Sequence, residues 1–155
     1  MHWSLLLIVL LLAAASGCTS QRRAPGPQPD RTGVPDDLRI TFGREGGFAG
    51  RLAGHTIRAD GSVAAWEGRA VGQQERVIAT LAPDSLSVLW GAVQEVRFFE
   101  HDRQEVGDMT AFVNVTAAGR SHRVAWVVRP GESPEGDEMR ALYATLARAV
   151  RAAAP

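Results

Sequence analysis

Apolar and polar residues alternate along the first half of the folded region, as they do in half-buried strands. Residues 38–42 alternate in this way and predict a first strand. Residues 55–58 and 63–66 flank Asp60-Gly61, a dipeptide that favours a tight turn, and so predict a hairpin. Residues 74–81 predict a fourth strand.

Two later segments carry apolar residues at helical spacing. The first begins at Pro83, which suits the first helical position. Its apolar stripe consists of Leu86, Leu89, Trp90, Val93 and Val96. The second covers residues 137–151, with Asp137 and Glu138 in its first turn, where the helix dipole favours acidic side chains. Its stripe consists of Met139, Leu142, Tyr143, Leu146 and Val150.

Residues 109–116 and 122–128 alternate again around Ala118-Gly119-Arg120 and predict a second hairpin. Strands that are followed by a helix, two more strands and a final helix indicate an α+β fold. We therefore expect an antiparallel sheet of about five to six strands, packed by two amphipathic helices on one face. Residues 38–155 are expected to form this single domain, whose length is close to the commonest domain size.

The N-terminal residues 1–17 have the layout of a secretion signal. Residues 5–15 are an apolar run, too short for a membrane span of about 20 residues but suited to the core of a signal peptide. Ala15-Ser16-Gly17-Cys18 resembles the lipobox of bacterial lipoproteins, in which the cysteine thiol receives a diacylglycerol and becomes the new N-terminus. The alternative is an ordinary secretory signal that is cleaved at small residues.

Residues 18–37 are rich in proline, glycine, glutamine and charged side chains and contain almost no large apolar group. Such a segment is too polar to pack and is expected to act as a tether. In a polyproline II conformation, at ~3.1 Å per residue, it reaches on the order of 50 Å from the membrane. Thr19 after the cysteine resembles lipoproteins that are sent to the outer membrane. We therefore expect a lipid-anchored protein of the bacterial cell envelope, in the outer membrane if the cell has two membranes.

Charge and cysteine content exclude several classes of protein. The chain has 17 basic and 17 acidic residues, so it has no basic excess that would attract nucleic acid. Cys18 is the only cysteine, which excludes a disulfide within the chain and a cysteine-based metal site in the domain.

No set of residues points to catalysis. Glu100-His101-Asp102 with Asp108 can be written as a metal cluster, but adjacent residues rarely converge on one ion, so a solvated loop is the favoured interpretation. His55 and His122 alternate with apolar strand residues and are expected to face solvent. The sequence contains no G-x-S-x-G, HExxH or phosphate-binding glycine loop. We expect a protein that is not an enzyme and that holds no metal or cofactor.

Gly46-Gly47-Phe48-Ala49-Gly50 is the motif that stands out most. In one interpretation, which the residues alone favour, the motif is a tight turn in which the glycines adopt positive φ and Phe48 packs into the core. In the other, the glycines let the backbone approach a partner closely, and Phe48 is an aromatic anchor.

Together with Ile40-Thr41-Phe42, this motif resembles the start of the emfourin-like family, small bacterial proteins named after the inhibitor of protealysin. The resemblance covers about residues 39–151 and includes the order of the predicted elements. The lipid anchor, the proline-rich tether and an insert at residues 67–75 depart from the family's pattern.

Membership would imply a protein that docks on a thermolysin-like zinc metallopeptidase and blocks its cleft, with the zinc belonging to the partner. Gly46, Gly47, Phe48 and Gly50 would then be the partner-binding residues. The alternative is an envelope lipoprotein that serves as a non-inhibitory protein-interaction module.

Lipidation at Cys18 predicts that Cys18→Ser accumulates as uncleaved precursor or appears in the soluble fraction, because the thiol that would carry the lipid is gone. Membrane fractionation with intact-mass measurement checks this, and Ser20→Ala is the matched control. Unchanged membrane association of the Cys18→Ser protein would rule out lipid anchoring at this residue.

Overall fold

A computed structural model describes residues 33–47, 50–131 and 136–154 of the chain. The strands in these residues are β1 Arg39–Gly46, β2 Arg51–Arg58, β3 Ser62–Gly68, β4 Arg76–Thr80, β5 Met109–Ala117 and β6 Arg120–Val127. The helices are α1 Pro83–Glu95 and α2 Glu138–Ala153, and a 3-10 turn covers Phe98–Glu100. The strands form one antiparallel sheet in the order β4-β3-β2-β1-β5-β6. The predicted α+β class is confirmed. The signal peptide, Cys18 and residues 19–32 of the tether lie outside the described residues.

Both helices pack on one face of the sheet. The strand residues Ile40, Phe42 and Val113 are almost fully buried there. The helices contribute the buried residues Leu86, Leu89, Val93, Met139, Leu142, Leu146 and Val150. These residues confirm the predicted apolar stripes, and the three remaining stripe residues, Trp90, Val96 and Tyr143, are partly buried at the edge of the same core.

β1 and β2 are longer than the sequence predicts. β1 continues to Gly46 and β2 begins at Arg51, so the turn that joins them is shorter than the glycine-rich stretch suggested. Gly43 and Gly54 face each other inside this added length. Because glycine is unfavourable in strands, the sequence pattern stops at Phe42 although the strand does not.

The other face of the sheet buries two aromatic rings under polar side chains. One row of the register contains, from β3 to β6, Trp66, Gly54, Gly43, Phe112 and Ala125. The Trp66 ring lies against both glycines and stacks on Phe112, with ring centroids 6.2 Å apart and planes at 27°. Only 3% of Trp66 and 1% of Phe112 is exposed.

Arg123 closes this aromatic pair from the solvent side. Its guanidinium carbon lies 4.4 Å from the centroid of the Phe112 ring, a distance that allows a cation–π contact. The same guanidinium donates a hydrogen bond of 2.6 Å to the Glu45 carboxylate. Trp66, Phe112 and Ala125 form a buried cluster separate from the core under the helices.

The packed part of the chain begins before residue 38. Val34 is buried in the helix-side core, with 5% exposed. The Asp37 carboxylate accepts hydrogen bonds of 2.7 Å from the backbone N–H groups of Gly119 and Ala118, and these bonds lower the pKa of Asp37. Residues 34–37 therefore pack with the domain and fix the point where the chain enters it.

The expectation that His55 and His122 face solvent is wrong. The His55 ring lies 5.6 Å from the Phe42 ring, and the His122 ring lies 5.8 Å from the Phe98 ring. Each histidine is two residues from a buried residue of its own strand, Ile57 or Val124, and side chains two apart share a face. Both rings therefore point to the helix side, where they are partly buried, and burial lowers the pKa of His55.

The aromatic row predicts that Gly54→Ala destabilises the fold. A Cβ at this position would lie 2.2 Å from the carbonyl oxygen of Phe42 and 2.6 Å from the Trp66 ring, so the sheet or the ring must shift, at a cost of about 3 kcal/mol. Gly91→Ala is the matched control, because a Cβ at that helical position meets nothing within 4 Å and should stabilise by about 1 kcal/mol. Urea unfolding of both variants measures the difference, and equal stability of the two would disprove the tight packing of Trp66 on Gly54.

Candidate functional site

The turn between β1 and β2 brings together three of the four candidate residues. Gly46 pairs with Arg51 at the end of the two strands, and the N–H of Gly50 donates to the carbonyl of Gly47 at 3.0 Å. Gly46, Gly47 and Gly50 have φ values of +113°, +73° and +56°, which confirms the predicted glycine turn. Phe48 lies outside the described residues, so both interpretations of its side chain stay predictions.

Gly46 is held against the start of β5. A Cβ on Gly46 would lie 2.1 Å from the carbonyl oxygen of Asp108, so only glycine fits. The same carbonyl accepts a hydrogen bond of 2.5 Å from the N–H of Gly47. The start of the turn is therefore fixed by backbone contacts to the residue before β5.

The turn presents exposed backbone beside an exposed thioether. Gly47 and Gly50 are both exposed. Met109, the first residue of β5, is 36% exposed, and its sulfur would lie 3.4 Å from a Cβ placed on Gly47. A flexible, polarizable side chain at such a place adapts to apolar groups of a partner.

The turn lies at the end of the sheet opposite to the point where the chain enters. Arg39 pairs with Arg58 and Thr116 at one end of β1, and Gly46 pairs with Arg51 and Met109 at the other. At ~3.3 Å per residue, the two ends are on the order of 25 Å apart. Asp37 is fixed at the first end by its bonds to the β5–β6 turn. The glycine turn and the point where the chain enters the domain are therefore at opposite ends of the sheet.

The loop between β3 and β4 is folded beside this turn. The Gln73 side-chain oxygen accepts a hydrogen bond of 2.6 Å from the N–H of Arg69. The carbonyl of Gln73 accepts another, of 3.1 Å, from the N–H of Glu67. These bonds close the loop on itself, and Gln74 takes a left-handed backbone conformation with φ of +52°.

Two open clefts border this loop, and sequence reasoning missed both. One, of about 460 Å³, is lined by Arg51, Gly68, Arg69, Gln73 and Gln74. The second, of about 430 Å³, is lined by Ala53, Gly54, His55, Ala65, Trp66, Glu67, Gln74 and Arg76. Gln74 lines both clefts, so they adjoin. The signal in the sequence that could have found them is the pair of glutamines, Gln73 and Gln74, between Arg69 and Arg76.

Two residues of the metal cluster considered in the sequence, Glu100 and His101, are engaged in separate local contacts. Glu100 lies 3.7 Å from Arg97. A His101 ring nitrogen lies 2.8 Å from the carbonyl oxygen of Val96 and 3.7 Å from the Glu138 carboxylate. Within the described ranges, no group of three or more His, Cys, Asp or Glu residues is arranged to hold a metal ion.

The chain matches no protein-family model and no curated protein. No helix in the described part of the chain is both long and apolar enough to cross a bilayer. Functional assignment therefore depends on the residues and geometry of the chain itself.

The contact with Asp108 predicts that Gly46→Ala destabilises the domain by about 2–4 kcal/mol, since both the steric overlap and the positive φ oppose a side chain. Gly50→Ala is the matched control in the same turn, because a Cβ there meets nothing within 4 Å and only the positive φ costs about 1 kcal/mol. Thermal unfolding compares the two. A loss at Gly46 no larger than that at Gly50 would contradict the backbone contact as the element that fixes the turn.

Proposed function

We propose that this protein is a membrane-anchored envelope lipoprotein whose domain inhibits a thermolysin-like zinc metallopeptidase. The β1–β2 turn, with Phe48 at its centre in the sequence, enters the cleft of the peptidase, and the zinc belongs to that partner. The observation that carries the proposal is the fixed geometry of the turn. Gly46 packs against the Asp108 carbonyl and the Gly47 N–H donates a hydrogen bond to it, so the exposed backbone at the start of the turn is preorganised.

Preorganisation favours inhibition over cleavage. A loop that is already held in its bound conformation loses little conformational freedom on docking, which raises affinity. The turn is also tied to the centre of a six-stranded sheet through β1, so a peptidase cannot draw it out as an extended substrate without breaking strand pairs. Inhibition of this kind is steric and needs no catalytic group on the inhibitor.

The position of the turn suits an anchored inhibitor. Because the turn is on the order of 25 Å from the end where the chain enters, a tether that begins at Cys18 leaves it directed away from the membrane. A peptidase in the adjacent compartment can then approach the turn without contacting the lipid surface.

A second candidate function is a non-inhibitory interaction module, and the exposed edge of β4 favours it. Within the described residues, β4 pairs only with β3, and its Val77 is 65% exposed. An exposed edge strand can pair with an extended segment of a partner. The opposite edge of the sheet is covered, since Arg103 and Glu105 both hydrogen-bond to the backbone of Ala125 in β6.

The inhibitor proposal predicts stoichiometric inhibition of a thermolysin-like peptidase by a chain that begins at Gly33. An aromatic anchor in an interface of about 1,600 Å² makes Phe48→Ala costly by about 2 kcal/mol or more, which is roughly thirtyfold in the inhibition constant. Titration of peptidase activity measures this, and the melting temperature of the variant should not change. Val77→Ala, on the edge of β4, is the control and should inhibit as well as the original chain.

Other outcomes separate the candidates. Unfolding of the Phe48→Ala variant would assign Phe48 to the core. Failure to inhibit any zinc peptidase at micromolar concentration would remove the inhibitor proposal and leave the interaction module. Weaker partner capture by Val77→Ala, with Phe48→Ala unaffected, would place the contact on the β4 edge.

A further inference from the structure

Of the two clefts beside the β3–β4 loop, the one of about 460 Å³ is lined by two arginines, whose N–H donors carry positive charge. Arg51 comes from β2 and Arg69 from the loop, while Gln73 and Gln74 add carboxamide groups. Among the described residues, no acidic side chain lines this cleft. The guanidinium is a planar fork of N–H donors that matches the two oxygens of a carboxylate.

Two of the nearby acidic groups are already engaged by other arginines. Glu75 accepts a hydrogen bond of 2.5 Å from Arg58, and Glu45 accepts one of 2.6 Å from Arg123. By contrast, neither Arg51 nor Arg69 is ion-paired with a carboxylate of the described residues. Although the whole chain has equal numbers of acidic and basic residues, the described residues that line this cleft include two arginines and no carboxylate.

The cleft has a defined shape because Gln73 holds the loop. A Cβ on Gly68 would lie 2.2 Å from the Gln73 side-chain oxygen, so this side chain packs directly on the end of β3. The hydrogen bond from Arg69 to the same oxygen fixes the backbone that carries the Arg69 guanidinium. The backbone positions of Arg51 and Arg69 are thus set by the fold.

We propose that this cleft is a carboxylate-binding site, in which Arg51 and Arg69 bind the carboxylate and Gln73 holds the loop in place. The ligand class is an acidic side chain or chain terminus of another protein, or a small organic acid that carries the same group. A phosphodiester polymer is a poorer fit, because a chain without basic excess does not attract it. The site goes beyond the inhibitor proposal, since it binds carboxylates whether or not the partner is a peptidase.

The test uses the full chain in detergent and a fluorescein-labelled peptide of alternating glutamate and glycine, followed by fluorescence anisotropy. We expect this peptide to bind and its glutamine counterpart not to bind. Arg51→Gln and Arg69→Gln should each weaken binding about fivefold, the effect of losing one exposed ion pair. Arg39→Gln is the matched control, because Arg39 is also an exposed strand arginine but lies at the other end of β1, and it should leave binding unchanged.

Competition with free glutarate identifies the source of the carboxylate. Displacement by glutarate at concentrations similar to the peptide supports a small organic acid, and displacement only by the peptide supports a protein partner. Equal binding of the glutamine peptide, or an equal loss with Arg39→Gln, would overturn the proposal. Because no peptidase is present, failure here is distinct from failure of the inhibitor proposal.

Discussion

The packing of Trp66 on the glycine pair of β1 and β2 is the contact on which the sheet depends. Two facing glycines leave a gap in a sheet surface that the helices do not cover, and the indole ring fills it. The indole N–H is buried without a hydrogen-bond partner among the described residues, which costs about 1–3 kcal/mol. Burial of an aromatic ring of about 200 Å² contributes about 5 kcal/mol, so the ring stays in place despite the unsatisfied donor.

The same contact determines where the candidate site is found. Because the Trp66 ring supports Gly43 and Gly54, β1 and β2 continue past the point where large apolar residues stop. That continuation carries Gly46 to the start of β5, where the Asp108 carbonyl holds the turn. It also carries β3 to Gly68, from which the arginine-bearing loop begins. The turn and the cleft are therefore both supported by the packing of the Trp66 ring on the face of the sheet opposite to the helices.

Much of the fold follows from periodicity, because large apolar side chains must share a face. The helices around Leu89 and Leu142 and the turns at Asp60-Gly61 and Ala118-Gly119 are all where the pattern predicts them. The pattern of apolar residues fails where a strand contains glycine. Gly43 in β1 and Gly54 in β2 have no side chain and therefore give no periodic signal. The face of the sheet predicted for both histidines was also wrong. That prediction was based on their immediate neighbours in the chain, whereas the residues two positions away share their face.

The candidate site was predictable only in part, for a related reason. The glycines of the turn are a local signal, because positive φ is a property of single residues. The cleft has no local signal in the sequence, since Arg51 and Arg69 belong to different elements and are brought together by the β2–β3 pairing. A loop closed by a glutamine side chain, as Gln73 closes this one, has no periodic pattern in the sequence.

The attachment of the N-terminal segment to β1 has a mechanical consequence. β1 is paired along its length with β2 on one side and β5 on the other, and antiparallel hydrogen bonds run perpendicular to the strand axis. Tension applied through the residues before Arg39 therefore acts along the strand. It loads the hydrogen bonds of the β1–β2 and β1–β5 pairs in shear, so that many bonds bear the force together. Tension applied through the C-terminal end of α2 would instead peel a helix held by apolar packing. The domain therefore resists a pulling force better when the force is applied through residues 33–38 than when it is applied through its C-terminal helix.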